Sequence, residues 1–151
     1  MSKNKVDILR NYVEAVANNI DSESLPNEID LVFGSGAFNG GSAIGAAIFI
    51  KELEKQGKVK IRRISGSSVG ALVALAYITD KFEYVENMHS AGRKMMRETG
   101  SFQGIRDVFL ETINIISDNN IEKLIEEIRD RLFISYNDAS NLSYHVVSTY
   151  T

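Results

Sequence analysis

Between the β-prone run Val59 to Ser65 and the apolar run Val69 to Ile78, only Gly66, Ser67 and Ser68 are left to turn the chain. A strand that becomes a helix within so few residues must turn sharply, and the corner residue is forced into a strained backbone conformation. Glycines on either side of the corner follow from sterics, because larger side chains would collide where helix and strand meet. Such a turn requires a strand in front, a helix behind and layered α/β packing around both. It leaves the Ser68 hydroxyl exposed, with the N-terminal dipole of the helix favouring negative charge beside it. In this reading Gly66-Ser67-Ser68-Val69-Gly70 is a nucleophile elbow, Ser68 is the nucleophile of a serine acyl hydrolase, and Gly66 and Gly70 are its spacers. The pentapeptide alone also fits a plain packing turn, so its surroundings decide.

The surroundings are of the same class. Val6, Leu9, Val13, Val16, Ala17 and Ile20 recur at helical spacing and predict an amphipathic helix over 5–19. Pro26 and its polar neighbours end it. Ile29 to Phe33 reads as a short buried strand closing on Gly34, followed by a helix from Gly40 or Gly41 to about Gln56 whose small residues imply a close neighbour. Val59 to Ser65 is a second strand with imperfect alternation, and Val69 to Ile78 is an apolar helix. Asp80 with Glu83 suggests a capping box for a helix stopped by Gly100. Helices are expected through Ile105 to Ile116 and from Asn119 to Leu132, then a turn at 137–141 and a strand from Tyr144 to Thr149. Strand, loop, helix, strand, turn, helix is the order of βαβ units, so the expected fold is three-layer α/β/α with a mostly parallel sheet.

One domain is expected over 1–151, with a helix and connector at 1–28 and the α/β core at 29–151. The 151 residues, 44% hydrophobic and 25% charged, suit one soluble core rather than two. Cysteine is absent, which excludes disulfides, thiolate metal sites and a thiol nucleophile. A net charge of -3 argues against a general nucleic-acid binder, which needs excess cations to replace phosphate counterions. The longest apolar runs, Ala43 to Ile50 and Val69 to Ile78, fall short of the ~18 residues of a membrane span. Asp7, Arg10 and Asn11 interrupt any signal core, and the chain reads as cytoplasmic.

The loop after the first strand, Gly34-Ser35-Gly36-Ala37-Phe38-Asn39-Gly40-Gly41, has the character of an anion cradle. Its free amides before a helix could hold the oxyanion of an acyl-transfer intermediate. Nucleotide readings fit poorly. A P-loop needs Lys followed by Ser or Thr after its last glycine, whereas Ser42 and Ala43 follow Gly41. A dinucleotide fingerprint needs G-x-G-x-x-G and an acidic end to the second strand; here Gly34, Gly36 and Gly40 are one residue too widely spaced and the strand ends in Ser65.

On these residues the sequence resembles the patatin-like phospholipases. Gly40 and the Ile44-Gly45 pair keep that family's spacing, and Gly66-Ser67-Ser68-Val69-Gly70-Ala71-Leu72 matches its elbow closely. Tyr136-Asn137-Asp138-Ala139 and Leu142 to Thr149 look like the turn and strand before the family's second half. The resemblance implies hydrolysis of acyl esters, usually phospholipids, by a Ser-Asp dyad with no metal and no cofactor. It implies an oxyanion loop made of Gly34, Gly36, Ala37, Asn39 and Gly40. Ser35, Ala37 and Asn39 stand where the family prefers Gly, Gly and a cation, so a positive charge is lost while backbone amides remain.

The family's aspartate belongs to an Asp-Gly turn, and this chain has no Asp-Gly. Asp118, Asp130 and Asp138 have ordinary capping and turn explanations. His145 lies inside a predicted strand, and His89 on a helix face with Val85 and Gly92. About three strands make a thin sheet with two open edges. The expectation is therefore the N-terminal portion of a patatin-like domain, incomplete at the C-terminus, with the base outside this chain. The alternative is a non-catalytic truncated or degenerate module that binds lipid or a protein partner. A lipid surface is the substrate's home, so peripheral membrane contact is weighed: Lys51, Lys55, Lys58, Lys60, Arg62 and Arg63 form one basic excess and Arg93, Lys94 and Arg97 another. Solvated faces explain both equally well. The Met88, Met95 and Met96 set is read as core.

Overall fold

A computed structural model describes residues 5–34, 40–99, 105–128, 132–137 and 143–147. The chain runs α1 (Lys5–Asn18), β1 (Glu28–Phe33), α2 (Gly40–Lys55), β2 (Lys60–Ser67), α3 (Val69–Thr79), α4 (Phe82–Thr99), α5 (Ile105–Ile116), α6 (Ile121–Ile128), β3 (Leu132–Asn137) and β4 (Ser143–Val147). The strands form one sheet in the order β1-β2-β3-β4. The first two pairings are parallel and the last is antiparallel. The fold is α/β with a mostly parallel sheet.

The strand order follows the sequence order, and this has a consequence for the layers. Right-handed crossovers that step across a sheet in one direction put their helices on the same face. Accordingly α3 packs on β1, β2 and β3, while α2 and α4 pack on α3 and α1 on α2. A helical layer on the far face requires the strand order to reverse. Of the three layers expected, the described residues supply the sheet and the helices over one face. Ile29, Leu31 and Phe33 of β1 turn toward the helices, and Glu28, Asp30 and Val32 away from them.

A bulge explains the imperfect alternation of β2. Ile29 pairs with Ile61 but Asp30 pairs with Arg63, leaving Arg62 as the extra residue. The extra residue resets the pleat, so Ile61 and Ile64 both enter the core despite their odd spacing. It also brings Arg62 and Arg63 together on Asp30. Lys60 and Arg62 add ion pairs to Glu28 at 3.1 and 3.3 Å on the same exposed face.

The core centres on α3, in which every residue from Gly70 to Tyr77 is buried. A helix apolar all round must be enclosed on all sides. Here the sheet, α2 and α4 enclose it. Leu72 and Val73 are fully buried, each contributing roughly 1.5–3 kcal/mol of transfer free energy. Tyr77 keeps its hydroxyl satisfied by donating to Glu54 Oε2 at 3.1 Å. Gly41 and Gly45 of α2 have open space where a Cβ would stand, so the small residue that answers a close neighbour on that helix is Ala47.

The helices end in similar ways. Gly57, Asp80 and Asp118 take left-handed conformations after α2, α3 and α5. The amides that follow reach back to the carbonyls of Leu53, Ala76 and Asn114, closing the last turns as Schellman motifs do. Lys58 then places its ammonium on the α1 terminus, donating to the carbonyls of Ala17 at 2.6 Å and Ile20 at 2.7 Å. Two capping expectations change. Asp80 ends α3 rather than starting α4, and its carboxylate joins Arg10 of α1 to Lys55 of α2, each at 2.8 Å. Asn120, not Asn119, caps α6, accepting from the Lys123 amide.

The largest difference from the sequence reading is β3. The sequence pattern predicts a helix that ends at Leu132 and a turn that opens at Asn137; in the structure α6 stops by Ile128 and Leu132–Asn137 is a strand between β2 and β4. The sheet therefore has four strands rather than about three.

Candidate active site

Ser68 is the single residue between β2 and α3, and it carries the strain of that junction. Its backbone stands at φ 53° and ψ −128°, a region that residues with a Cβ rarely occupy. The conformation is enforced from both sides, by pairing of Ser67 with Ser135 in the sheet and by burial of α3 from Gly70 onward. The Ser68 side chain makes no capping bond to the first turn, although it stands at the N-cap position. Its carbonyl accepts from the Ala71 amide at 2.9 Å and starts the helix. The hydroxyl is thus left for other work, at the positive end of an 11-residue helix.

The two flanking glycines are required for space. Neither has positive φ. A Cβ on Gly66 would press on the Gly70 carbonyl and lie 2.7 Å from the Ala71 nitrogen. A Cβ on Gly70 would press on the Phe33 carbonyl and lie 2.5 Å from the Gly34 oxygen. These contacts define the site. Gly66 lets the start of α3 fold back over β2, and Gly70 lets the same turn rest against the exit of β1.

That exit is where the glycine loop begins. Gly34 lies against Gly70, so the loop leaves the sheet at its Ser68 end, and Gly40 is the first residue of α2. Gly36, Ala37 and Asn39 lie outside the described residues. Ligand sites of parallel α/β sheets form at the carboxyl ends of their strands, and β1, β2 and β3 all end here.

The β3 placement adds a neighbour that sequence reasoning missed. Ser135 pairs with Ser67, so the chain leaves β3 at Asn137 beside the turn that carries Ser68. The signal was present in Leu132-Phe133-Ile134-Ser135-Tyr136, a β-prone run absorbed into the preceding helical pattern. Asp130 and Asp138 lie outside the described residues, as do the side chains of His89, Met88, Met95 and Met96. His145 pairs with Ser135 across the antiparallel ladder, which sets it two strands from Ser67. Asp118 is accounted for by an ion pair with Lys81 at 2.8 Å.

Perturbed carboxylates stand elsewhere. Burial raises the Asp80 pKa, but hydrogen bonds from Lys55 and Arg10 outweigh it and hold the group below the usual carboxylate range. Asp30 is held well below that range by hydrogen bonds from Arg63 and Arg62. Asp80 closes the far end of α3 from Ser68. Both are structural ion pairs. Among the described residues no cluster of three potential metal ligands occurs, and no helix is long and apolar enough to cross a membrane.

A family model described as patatin-like phospholipase matches residues 31–146, from within β1 to within β4. No curated protein and no solved structure gives a significant match.

Proposed function

The chain belongs to the patatin-like phospholipase family, and from that premise we propose that it is the nucleophile-bearing part of a lipid acyl hydrolase that attacks through Ser68. The observation that carries the proposal is the Ser68 backbone, strained at φ 53° between two glycines that no other residue could replace without collision. Strain of this kind persists where the surroundings over-determine it, and it clusters at reactive sites.

The chemistry runs as follows. Ser68 Oγ attacks the ester carbonyl of a lipid while a base takes the hydroxyl proton. The tetrahedral oxyanion is received by backbone amides of the loop over Gly34, Gly36, Ala37, Asn39 and Gly40, with the α3 dipole adding to the field. Removing one such donor costs about 2.7–4 kcal/mol in other enzymes. Collapse expels the alcohol, which takes a proton, and leaves the acyl group on Ser68. Water, deprotonated by the same base, then releases the fatty acid. No metal or cofactor takes part. With no Asp-Gly in the chain, the base is supplied by an aspartate outside these 151 residues, and the chain alone turns over esters poorly or not at all.

A fluorophosphonate probe on the full-length gene product tests the nucleophile. Labelling that vanishes in Ser68→Ala is the expected result. Absence of labelling would favour the alternative, a non-catalytic module that binds lipid or a protein. Loss of labelling in His145→Ala would instead favour a histidine base. Ester turnover by the 151-residue chain that Ser68→Ala removes would refute the external aspartate.

A further inference from the structure

The sheet face turned away from the helices changes character along its length. Val32 stands on that face and pairs with Ser65, so Ser65 and, by alternation, Ser67 share it. Paired residues of neighbouring strands lie on one face, so the row runs from Ser67 to Ser135 of β3 and on to His145 of β4. Alternation along β3 adds Asn137, and the ladder adds its partner Ser143. At the other end of the same face stand Glu28, Asp30, Lys60 and Arg62, long charged side chains tied into ion pairs. Ser67, Ser135, Asn137, Ser143 and His145 are of a different kind. Each is a short residue with an O–H or N–H to donate, and none is a carboxylate.

We propose that these five residues form a head-group subsite for the lipid that Ser68 attacks, and that the group they hold is a phosphodiester. The inference rests on Ser68 as the nucleophile and adds what the substrate carries beyond its acyl ester. Position supports it first. Ser67 is exposed and immediately precedes Ser68, so the row begins at the nucleophile's own neighbour. The strand β3 continues two residues past the partner of Ser67, which sets Asn137 and Ser143 beyond the end of β2, level with the Ser68 turn. Reach supports it next. Neighbouring strands lie about 4.8 Å apart, so Ser135 stands about 5 Å and His145 about 10 Å across the sheet from Ser67. In a glycerophospholipid one glycerol unit separates the phosphate from the acyl esters, a length of the same order. An ester seated at Ser68 therefore brings its phosphate over Ser135 and His145. Chemistry selects the ligand. The oxygens of a phosphodiester only accept hydrogen bonds, and hydroxyl, amide and imidazole groups donate them. The nearest charged residues on this face, Asp30 and Arg63, are paired with each other four positions before Ser67.

Isothermal calorimetry on the Ser68→Ala form of the full-length gene product reads the subsite without turnover. A short-chain diether phosphatidylcholine should bind at least about fivefold more tightly than the matching diether glycerol, which lacks the phosphate. In the same background His145→Ala and Ser135→Ala should each weaken the phosphatidylcholine about fivefold while holding the diether glycerol within about twofold. Circular dichroism verifies the fold, and Asn137→Ala, with the same expected loss, stands in for a strand variant that fails to fold. Equal affinity for the two ether lipids overturns the inference, as do variants that weaken both lipids alike. Inorganic phosphate that displaces the phosphatidylcholine at matching concentration also overturns it, by showing a site for free phosphate rather than for a lipid head group. Fluorophosphonate labelling of the wild type reads the nucleophile separately: its absence would remove Ser68 from the chemistry, while the calorimetry still decides whether the head group is held.

Discussion

Replacing Ser68 by glycine should stabilise this protein while removing its proposed nucleophile. At φ 53° and ψ −128° a residue with a Cβ pays about 1–3 kcal/mol that glycine does not. Against this, glycine loosens the unfolded chain by about 0.4–1 kcal/mol. Loss of the hydroxyl adds nothing at the helix terminus, since it makes no capping bond there. The expected net change for Ser68→Gly is a gain of about 1 kcal/mol. Ser68→Ala retains the Cβ and the strain and should fall near zero. In a chain of this length about 1 kcal/mol is about 2–4 °C in Tm. Thermal and urea unfolding of wild type, Ser68→Ala and Ser68→Gly, with equal m-values, isolates the backbone contribution. If Ser68→Gly unfolds at or below Ser68→Ala, the corner is not strained and the elbow argument fails.

Two further predictions rest on the geometry of the fold. Gly70→Ala should cost about 2–3 kcal/mol and abolish probe labelling with Ser68 intact, because its methyl collides with the Phe33 and Gly34 carbonyls; Gly45→Ala, with open space at its Cβ, should instead gain up to about 1 kcal/mol, and equal denaturation midpoints for the two would show that Gly70 is not confined in this way. Asp80, whose pKa is lower folded than unfolded, contributes stability that is complete above the unfolded carboxylate value near 4 and is lost as pH falls through the lower folded value. Urea midpoints should therefore decline below about pH 4, and Asp80→Asn should flatten that decline while lowering the midpoint at pH 7; an unchanged slope would show that the Arg10-Asp80-Lys55 cluster does not couple to folding.

Local signals carried most of the helices and the corner. The periodicities of α1, α4 and α5 and the all-apolar run of α3 are short-range patterns, and they predicted those elements to within a few residues. The elbow was legible because two glycines at fixed offsets from a serine have a steric meaning that does not depend on distant residues. The bulge in β2 was visible only as bad alternation, since Arg62 becomes superfluous only when β1 is laid beside it. The Asp80 cap was misassigned for a similar reason: Asp80-x-x-Glu83 is a valid local motif, and what overrides it is contact with Arg10, 70 positions earlier.

By itself, then, the sequence determined the α/β class, through the order of its strand and helix patterns, and the position of the sharp turn at Ser68, because two glycines at fixed offsets act within one turn of chain. Tertiary structure alone decided that Gly70 is required by the exit of β1 and not by its own dihedrals. It also decided that Leu132–Asn137 is a strand, since a short β-prone run is committed only by pairing with a neighbour such as β2. The same holds for the packing of α3 on β1, β2 and β3, which only the strand order sets, and for the exposure of Ile8, Tyr12 and Val16 on α1, whose apolar character is plain in the sequence but which α2 leaves uncovered.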